Sequence, residues 1–340
     1  MTDVQNILVA TNQLNKIGGS ETFAFSLIEE LKKREFVVEY FTFLKGAVSQ
    51  QIEEKLGVQF MSRKKYDLIL ANHQTCIELL FTRGYIIQIC HGIFPYLEQP
   101  SKYADFHIAI SQEVQDHLKK KNFKSRKIYN GIDCERFKPE KKIKPKLTTI
   151  LSLCQSNSAN AIIKEICREH NLSLLVINKF ETQVWEVEKA INKSDLVIGL
   201  GRSIYEAMAS GRPVVIYDHR PYSKSFGDGY LDANNIKESI KNNCSGRRFK
   251  FQFSKGDLVT EIFKYDLKTG DFLRNFALKN LNITSMVDEY LEIFLAEQEK
   301  NRGFKRDFRK LMYSMGINKK KKVQALKRQM AKILAYFVRK

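Results

Sequence analysis

The stretch SDLVIGLGRSIYEAMASGRPVVIYD, residues 194–218 of a 340-residue chain, decides the fold. Its apolar run at 195–198 predicts a buried strand that ends at a Gly-x-Gly-Arg-Ser turn, and the small residues at 204–210 predict a helix. After a Gly-Arg-Pro turn, a second apolar run at 213–217 predicts another strand. Strand, helix and parallel strand form one βαβ unit, which is the repeating element of open α/β sheets.

The same alternation of strands and helices extends over most of the chain. Further strands are predicted at residues 7–11, 37–43, 66–71, 85–90, 106–110, 126–129, 147–153 and 172–177. Further helices are predicted at residues 21–34, 159–168, 183–191 and 285–297. Near-continuous apolar strands separated by helices favour parallel sheets that are covered by helices on both faces. We therefore predict an α/β fold of two doubly wound, Rossmann-like lobes followed by a basic helical tail.

A polar segment divides this alternation into two parts. Residues 138–146, KPEKKIKPK, contain two prolines and five lysines without an apolar period, which is typical of an exposed connector. We place the first domain at residues 1–139, the second domain with its closing helix at 140–299, and the tail at 300–340. A typical size of about 150 residues per domain agrees with two lobes.

Composition excludes several classes of protein. Hydrophobic residues make up 43% and charged residues 28% of the chain, with only 6 Pro and 17 Gly, so collagen-like, low-complexity and mucin-like proteins are excluded. No apolar run reaches the ~18 residues of a membrane-spanning helix and the first residues lack a signal-peptide pattern, so we expect a cytoplasmic protein. The six cysteines form no C-x-x-C pair and no zinc-ligand spacing, so we expect reduced core thiols and no metal site.

The start of the helix within residues 194–218 is a candidate anion site. Gly201, Arg202 and Ser203 would present backbone N–H groups, a guanidinium and a hydroxyl to one diphosphate at the positive end of the helix dipole. Glu206, one turn further, is placed to accept a hydrogen bond from a ribose hydroxyl. Ser203-x-x-Glu206 also fits a capping box, in which the glutamate only bonds back to the helix start, and the two roles are compatible.

A second glycine-rich segment follows the first predicted strand. Gly18 and Gly19 precede a helix, where a glycine pair lets the backbone approach a ligand and the helix N–H groups attract a phosphate. An ordinary loop with an N-cap residue explains the same residues equally well. The pair alone leaves both interpretations open.

Other strands are followed by histidine and asparagine. His91 follows the fourth strand and would enter the cleft. There it would donate a hydrogen bond to a sugar hydroxyl or titrate near neutrality. The alternative is that it only bonds to a loop carbonyl. His73 follows the third strand and is the rival candidate. Asn130 belongs to an Asn-Gly turn, which locally is only a turn. The turn-rich segments at 228–230 and 243–248 are interpreted as solvated loops.

Four segments, in order along the chain, resemble those of one enzyme family. They are Gly18-Gly19-Ser20-Glu21, Ala109-Ile110-Ser111, Asn130-Gly131-Ile132-Asp133 and Glu206-Ala207-Met208-Ala209-Ser210-Gly211-Arg212-Pro213-Val214-Val215. The pattern is similar to that of glycosyltransferases of the GT-B fold, family 4 type. The matches span residues 7–294, and the last two segments are fairly specific when they occur together.

The resemblance implies that a sugar passes from a nucleotide donor to an acceptor with retention of the anomeric configuration. It places the nucleotide sugar in the second lobe, the acceptor in the first, the glycine pair near the donor phosphates, His91 near the sugar and Glu206 at the ribose. Arg202 is our candidate for stabilising the departing diphosphate, so that no metal is obligatory. The candidates for donor binding are Gly18, Gly19, Asn130, Gly201, Arg202, Ser203 and Glu206, and those for catalysis are His91, Arg202 and Glu206.

The chain departs from this family pattern in three places. A glutamate frequent eight positions before the one matching Glu206 is Ile198 here. The usual Arg and Lys pair after the first strand of the second lobe is not evident, and Arg202, Arg247 or Arg248 are the substitutes we consider. Residues 157–191 are also compressed relative to the family pattern, so we expect a second lobe that is smaller than usual. Two alternatives therefore stay open, a nucleotide-sugar epimerase on the same fold and a nucleotide- or polyanion-binding module without catalysis.

The positive charge of the chain is concentrated at its end. The formal net charge is +19, and residues 300–340 contain fifteen basic residues against Asp307 alone. Apolar residues repeat there at helical spacing, which predicts amphipathic helices that bind an anionic membrane surface. That suits a lipid-linked acceptor in the biosynthesis of lipopolysaccharide or another cell-surface polysaccharide. Packing on protein or binding of a polyanion are the alternatives, and no recognised motif supports nucleic acid.

Overall fold

The computed structural model describes residues 4–178, 182 and 184–300. From residue 301 onward the predicted basic tail lies outside the described residues, and side chains are described as far as residue 297. Within these ranges the chain forms two α/β lobes, each built on its own sheet.

The first lobe has a six-stranded, entirely parallel sheet with strand order β2-β1-β3-β4-β5-β6. Its strands are β1 (Asn6–Ala10), β2 (Val37–Phe41), β3 (Leu68–Ala71), β4 (Tyr85–Cys90), β5 (Phe106–Ala109) and β6 (Ser125–Lys127). Its helices are α1 (Gly19–Lys33), α2 (Ala47–Leu56), α3 (Gln74–Leu80) and α4 (Gln112–Lys120). The six predicted strands are confirmed, and β3 is buried along its whole length because helices cover both faces of the sheet.

The second lobe has a five-stranded sheet with strand order β11-β10-β9-β7-β8. Its strands are β7 (Thr149–Ser152), β8 (Ser173–Val176), β9 (Leu196–Gly199), β10 (Val214–Ile216) and β11 (Gly229–Tyr230). Its helices are α5 (Asn157–Glu169), α6 (Val187–Asn192), α7 (Arg202–Ala209), α8 (Ile236–Ser239), α9 (Lys255–Ile262), α10 (Leu267–Asn280) and α11 (Ile283–Lys300). The βαβ unit predicted within residues 194–218 is β9, α7 and β10, and these two strands pair in parallel.

The second sheet ends in an antiparallel edge strand, which the sequence did not predict. β11 pairs with β10 in the antiparallel direction, and its Tyr230 is buried, so the interpretation of residues 228–230 as a solvated loop is wrong. The described connection between β10 and β11 contains only the short 3-10 helix Pro221–Ser223. A parallel return would require a longer crossover, usually through an α-helix.

The last helix returns from the second lobe to the first. Met286 and Phe294 of α11 lie in the same hydrophobic core as β1, β4 and α1, which confirms the predicted amphipathic packing helix and identifies its partner. The start of α11 runs beside the first crossing between the lobes, because Ile132 N–H donates to the Leu281 carbonyl at 2.7 Å and Ile283 N–H donates to the Ile132 carbonyl at 3.0 Å. The two segments in which the chain passes between the lobes are therefore hydrogen-bonded to each other.

The connector and the cysteines agree with their predictions from the sequence. Residues 138–146 contain no helix or strand and are mostly exposed, as predicted. The six cysteines are buried with free thiols, in agreement with their prediction as core residues. In the described ranges we find no helix with the length and apolar character needed to cross a membrane.

Each sheet reverses its strand order once. The reversal lies between β1 and β3 in the first lobe and between β7 and β9 in the second. Ligands of open α/β sheets bind beyond the carboxyl ends of the strands at such a point. The segments that leave these ends include the one that carries Gly18 and Gly19 and the one that carries Gly201 and Arg202.

Candidate functional site

The glycine pair of the first lobe forms the start of α1. Gly18 is the N-cap residue with extended backbone, and α1 begins at Gly19. The Glu21 carboxylate folds back over Gly18, where a Cβ atom would collide with Glu21 Oε2. Glu21 is held there by Gln13 Nε2 and Ser20 Oγ, which donate to its two oxygens at 3.0 Å each. A carboxylate therefore already lies at this helix start, which the sequence analysis did not anticipate.

The structure separates the two candidate histidines. His73 is buried and precedes α3, and its Nδ1 accepts the backbone N–H of Asn12 at 3.0 Å and lies 3.1 Å from the Thr11 hydroxyl oxygen. Burial lowers the pKa of His73 to about 4, so the ring is neutral. His73 therefore joins the loop after β1 to the loop after β3, which is a structural role.

His91 lies directly after β4 among polar side chains. Its Nε2–H donates to Asn72 Oδ1 at 3.1 Å, and Asn130 Nδ2 donates to its Nδ1 at 3.5 Å. The Phe23 ring packs edge-on against the imidazole with centroids 4.9 Å apart. Burial, together with His73 and Arg202, lowers the pKa of His91 to about 3. The ring is therefore neutral at physiological pH, and the alternative that His91 titrates near neutrality is wrong.

Two asparagine amides beside His91 have unused hydrogen-bonding atoms. Asn72 Nδ2 and Asn130 Oδ1 are buried, and within the described part of the chain neither has a partner. Buried polar atoms are nearly always hydrogen-bonded, so an unpaired donor and an unpaired acceptor beside one imidazole suit a ligand with hydroxyl groups. Asn130, which the sequence presents as a turn residue, thus faces the candidate histidine.

The start of α7 is shaped by a left-handed glycine. Gly201, with φ of +65°, is the N-cap of α7, and its N–H donates to the Cys244 carbonyl at 2.9 Å. The Ser203 hydroxyl donates to the Leu200 carbonyl at 3.0 Å. These two groups are therefore engaged within the protein, in contrast to the prediction that both face an anion. The segment 243–248 is likewise no solvated loop, because Cys244 is buried against this turn.

Arg202 is the side chain that connects the two lobes at this point. Its Nη1 donates to the Gly131 carbonyl and its Nη2 to Ser26 Oγ of α1, each at 3.2 Å, while its Nε donates to Glu206 Oε1 at 2.9 Å. Among the described residues no side chain caps α7, so the capping-box interpretation of Ser203 and Glu206 is not observed there. The guanidinium thus lies between a helix start of the second lobe and the first lobe.

Glu206 and Arg202 form a nearly buried ion pair. Their side chains are 11% and 10% exposed. Burial raises the pKa of Glu206 above its ordinary value, and the positive charge of Arg202 opposes that rise. A ligand that binds the Arg202 guanidinium would weaken the interaction between Arg202 and Glu206. The binding of a ligand to Arg202 therefore also changes the pKa of Glu206.

Two further polar groups near the cleft were missed by the sequence analysis. Asp218 is fully buried after β10 and accepts from Gln155 N–H at 3.0 Å and from Arg220 Nε at 2.6 Å, which joins the ends of β7 and β10. Its position directly after an apolar strand is the signal that could have identified it. Glu98 lies beyond β4, where burial and Glu21 raise its pKa to about 7 while Arg247 opposes the shift. No local sequence signal marks Glu98.

The described residues do not form a metal centre. Within them, no group of three or more His, Cys, Asp or Glu side chains lies together as a metal ion would require. Arg202 is a cationic side chain that contacts both lobes.

Several solved structures are similar to this chain. HepE from Anabaena, solved in complex with UDP and glucose, is 14% identical, with a TM-score of 0.56 over 85% of this chain and 99% of that chain. A glycosyltransferase from Rickettsia africae is 14% identical, with a TM-score of 0.58 over 88% of this chain and 100% of that chain. UDP-GlcNAc 2-epimerase from Neisseria meningitidis, bound to UDP-GlcNAc, is 11% identical, with a TM-score of 0.53 over 86% of this chain and 100% of that chain.

Sequence comparison adds nothing to these structural matches. No protein-family model matches the chain, and no curated protein matches it. At identities of 11% to 14% the structural likeness shows the fold alone, and that fold is the two-lobed GT-B architecture predicted from the sequence. The more specific resemblance to family 4 stays a prediction.

Proposed function

We propose that the protein is a glycosyltransferase that moves a sugar from a nucleotide-sugar donor to a glycan or lipid-linked acceptor, with retention at the anomeric carbon. The observation that supports this proposal is the convergence of His91, Asn130 and Arg202 from three separate segments. Asn130 contacts His91, and Arg202 bonds to the carbonyl of the residue after Asn130. A neutral imidazole, unpaired amide atoms and a guanidinium suit a sugar attached to a diphosphate.

The proposed reaction uses positioning and charge stabilisation. The bond between the sugar C1 and the diphosphate oxygen breaks, a bond from C1 to the acceptor oxygen forms on the same face, and the acceptor proton passes to the departing diphosphate. Arg202 and the first-turn amides of α7 would stabilise the negative charge that develops on the diphosphate. His91 and Asn130 would hold the sugar hydroxyls, and Glu206 would accept from the ribose. No protein nucleophile is required.

The first experiment is a screen of nucleotide sugars for release of nucleoside diphosphate. UDP-sugars are tested first, because two similar structures contain UDP or a UDP-sugar. Arg202→Met and Glu206→Gln should each lower donor turnover by at least about a hundredfold, the usual cost of removing a group that stabilises developing charge. Arg168→Met, an exposed arginine on α5 of the same lobe, is the matched control and should retain full activity. Wild-type turnover in both cleft variants would refute the donor-site assignment.

A nucleotide-sugar epimerase is the second candidate, since an epimerase is among the similar structures. An epimerase releases an isomeric sugar and needs no acceptor, whereas a transferase gives nucleoside diphosphate and a glycoside. Product analysis with and without acceptor separates the two. A module that binds nucleotide without reaction, which Ile198 at the usual glutamate position leaves open, would bind UDP and cleave no donor.

We further propose that residues 300–340 bind the anionic inner face of a membrane, where a lipid-linked acceptor for cell-surface polysaccharide or lipopolysaccharide would be available. The support is the sequence of the tail, with fifteen basic residues and apolar residues at helical spacing. Co-sedimentation with vesicles containing phosphatidylglycerol, before and after truncation at residue 300, tests this role. Equal binding of both forms would refute it.

A further inference from the structure

A second concave surface lies between the lobes, apart from the donor-site candidates. It is a pocket of about 410 Å³ to which the first lobe contributes Phe94 and Glu113, and the second lobe contributes residues within 222–226 and 242–250. Of the residues considered for the donor site, only Arg247 and Arg248, named above as possible substitutes for the family's basic pair, line it. We call it the basic pocket, after its four cations Lys224, Arg247, Arg248 and Lys250.

The charge of the basic pocket is unbalanced. Arg247 donates through Nε and Nη2 to Glu113 of α4, which is the one carboxylate in the lining. Arg248 pairs with Glu238 outside the lining. Lys224 and Lys250 are exposed, and neither has an ion-pair partner in the part of the chain that the structure describes. Because Glu113 and Glu238 pair with the two arginines, Lys224 and Lys250 supply the unpaired positive charge of the basic pocket, and two such charges favour an anion with more than one negative charge.

The two unpaired lysines occupy left-handed backbone conformations. Lys224 has φ of 58° and Lys250 has φ of 61°. Of the eight described non-glycine residues with positive φ, five lie between residues 224 and 250. Lys224 and Asn243 are the C-cap residues of the short 3-10 helices Pro221–Ser223 and Ile240–Asn242, where a left-handed residue is common. The conformations therefore show that these lysines lie on tight turns, and the binding argument rests on their charge and on the neighbouring rings.

Aromatic rings from both lobes border the cations. Phe94 of the first lobe is 53% exposed and Tyr222 of the second is 58% exposed. The Arg247 guanidinium lies 5.4 Å from the centre of the Phe94 ring. An exposed ring beside cations suits a ligand that joins an anionic group to a sugar ring or a hydrocarbon chain. An inorganic ion alone has no apolar part that would pack against these rings.

We propose that the basic pocket binds a phosphate ester and that this phosphate belongs to the acceptor. Phosphate esters carry the multiple negative charge that the lysines and the Arg247 fork can match. The pocket adjoins the proposed reaction centre, because Asn242 lines it while Cys244, two residues later, accepts from Gly201 at the start of α7. This inference rests on the proposed function, since only a transferase has an acceptor. The phosphate has two sources, a lipid diphosphate or a soluble sugar phosphate.

Calorimetric titration with two probes tests the proposal and separates the sources. Geranyl diphosphate represents the lipid source and glucose 1-phosphate the soluble one. The variant is Lys224→Asn with Lys250→Asn, because asparagine tolerates positive φ and removes only the charge. At least one probe should bind the wild type, and the double variant should bind it at least about tenfold more weakly, which corresponds to ~1.4 kcal/mol.

Two control variants complete the design. Lys142→Asn with Lys146→Asn removes the same charge from the exposed connector and should leave probe binding unchanged. Lys224→Arg with Lys250→Arg keeps both charges and should restore binding, which distinguishes lost charge from altered folding. Binding of neither probe to the wild type, or equal binding by wild type and Asn variant, would overturn the proposal.

A parallel titration with UDP keeps the two proposals apart. If Arg202→Met loses UDP binding while the lysine variant binds both probes normally, the donor site stands and the basic pocket is refuted. If the lysine variant loses probe binding while Arg202→Met binds and turns over donor normally, the donor assignment fails and the pocket stands as a phosphate site. Product analysis then decides whether the bound phosphate ester is an acceptor.

Discussion

Glu98 should make the stability of the protein depend on pH between about 5 and 7. Its pKa is raised from 4.5 to about 7, first by burial and then by the charge of Glu21, while Arg247 opposes the shift. Between these pH values the folded protein keeps a proton that the unfolded chain has released. The free energy of unfolding therefore falls as pH rises through this range, by at most about 3 kcal/mol at ~1.4 kcal/mol per pKa unit.

Glu98→Gln removes this titration and keeps the shape of the neutral side chain. Urea denaturation followed by circular dichroism should give nearly equal stability for wild type and variant at pH 5. At pH 8 the variant should be more stable, by up to about 3 kcal/mol, because the wild type then buries a charged carboxylate. Glu54→Gln, an exposed residue of α2, is the control and should follow the wild type at every pH. A constant difference between Glu98→Gln and wild type from pH 5 to 8 would refute this account.

Three further predictions follow from local contacts. Gly131→Ala should destabilise the protein by about 1–3 kcal/mol in urea denaturation, because the new Cβ would lie 2.5 Å from Ile283 Cα, whereas Gly19→Ala meets open space and should be neutral. Arg202→Met should lower the free energy of unfolding by about 3 kcal/mol, because Glu206 is left buried without its partner. Adding Glu206→Gln should recover most of that loss, whereas strictly additive effects of the two substitutions would contradict the coupling. Donor turnover should survive EDTA, and a loss that Mg²⁺ restores would contradict metal independence.

The alternation of strands and helices could be predicted because each signal is local. The strand Tyr85–Cys90 is apolar except for Gln88, and its predicted bounds agree with the structure. In contrast, α10 was not predicted, and its first turn contains Gly270, a residue type that is unfavourable in a helix. The structure explains the glycine, since a Cβ there would lie 2.5 Å from the carbonyl oxygen of Gly211. The glycine in α10 is thus explained by a packing contact between two residues that are 59 positions apart in sequence. The periodicity of a local sequence window does not report such a contact.

For the candidate site, the sequence predicted the segments but not the partners of their polar groups. His91 and Arg202 lie near each other because both follow strands that end toward the cleft. The Gly201 N–H was expected to be free for an anion, yet it bonds to Cys244. A segment that follows an antiparallel strand supplies that carbonyl, so its position depends on the sheet edge that the alternation did not predict. Non-local geometry therefore decides which amides remain for a ligand.

Two of the guanidinium groups that connect the lobes, those of Arg202 and Arg247, are also groups that an anionic ligand would use. Arg202 bonds to Ser26 in the first lobe, and Arg247 bonds to Glu113 at another point between the lobes. An anion that binds either guanidinium must replace these bonds. The binding free energy of the anion is therefore the difference between the new charge-assisted interaction and the one that it replaces. Donor and acceptor binding should therefore each loosen one connection between the lobes. If so, the ligands act on the separation of the lobes as well as on their own sites.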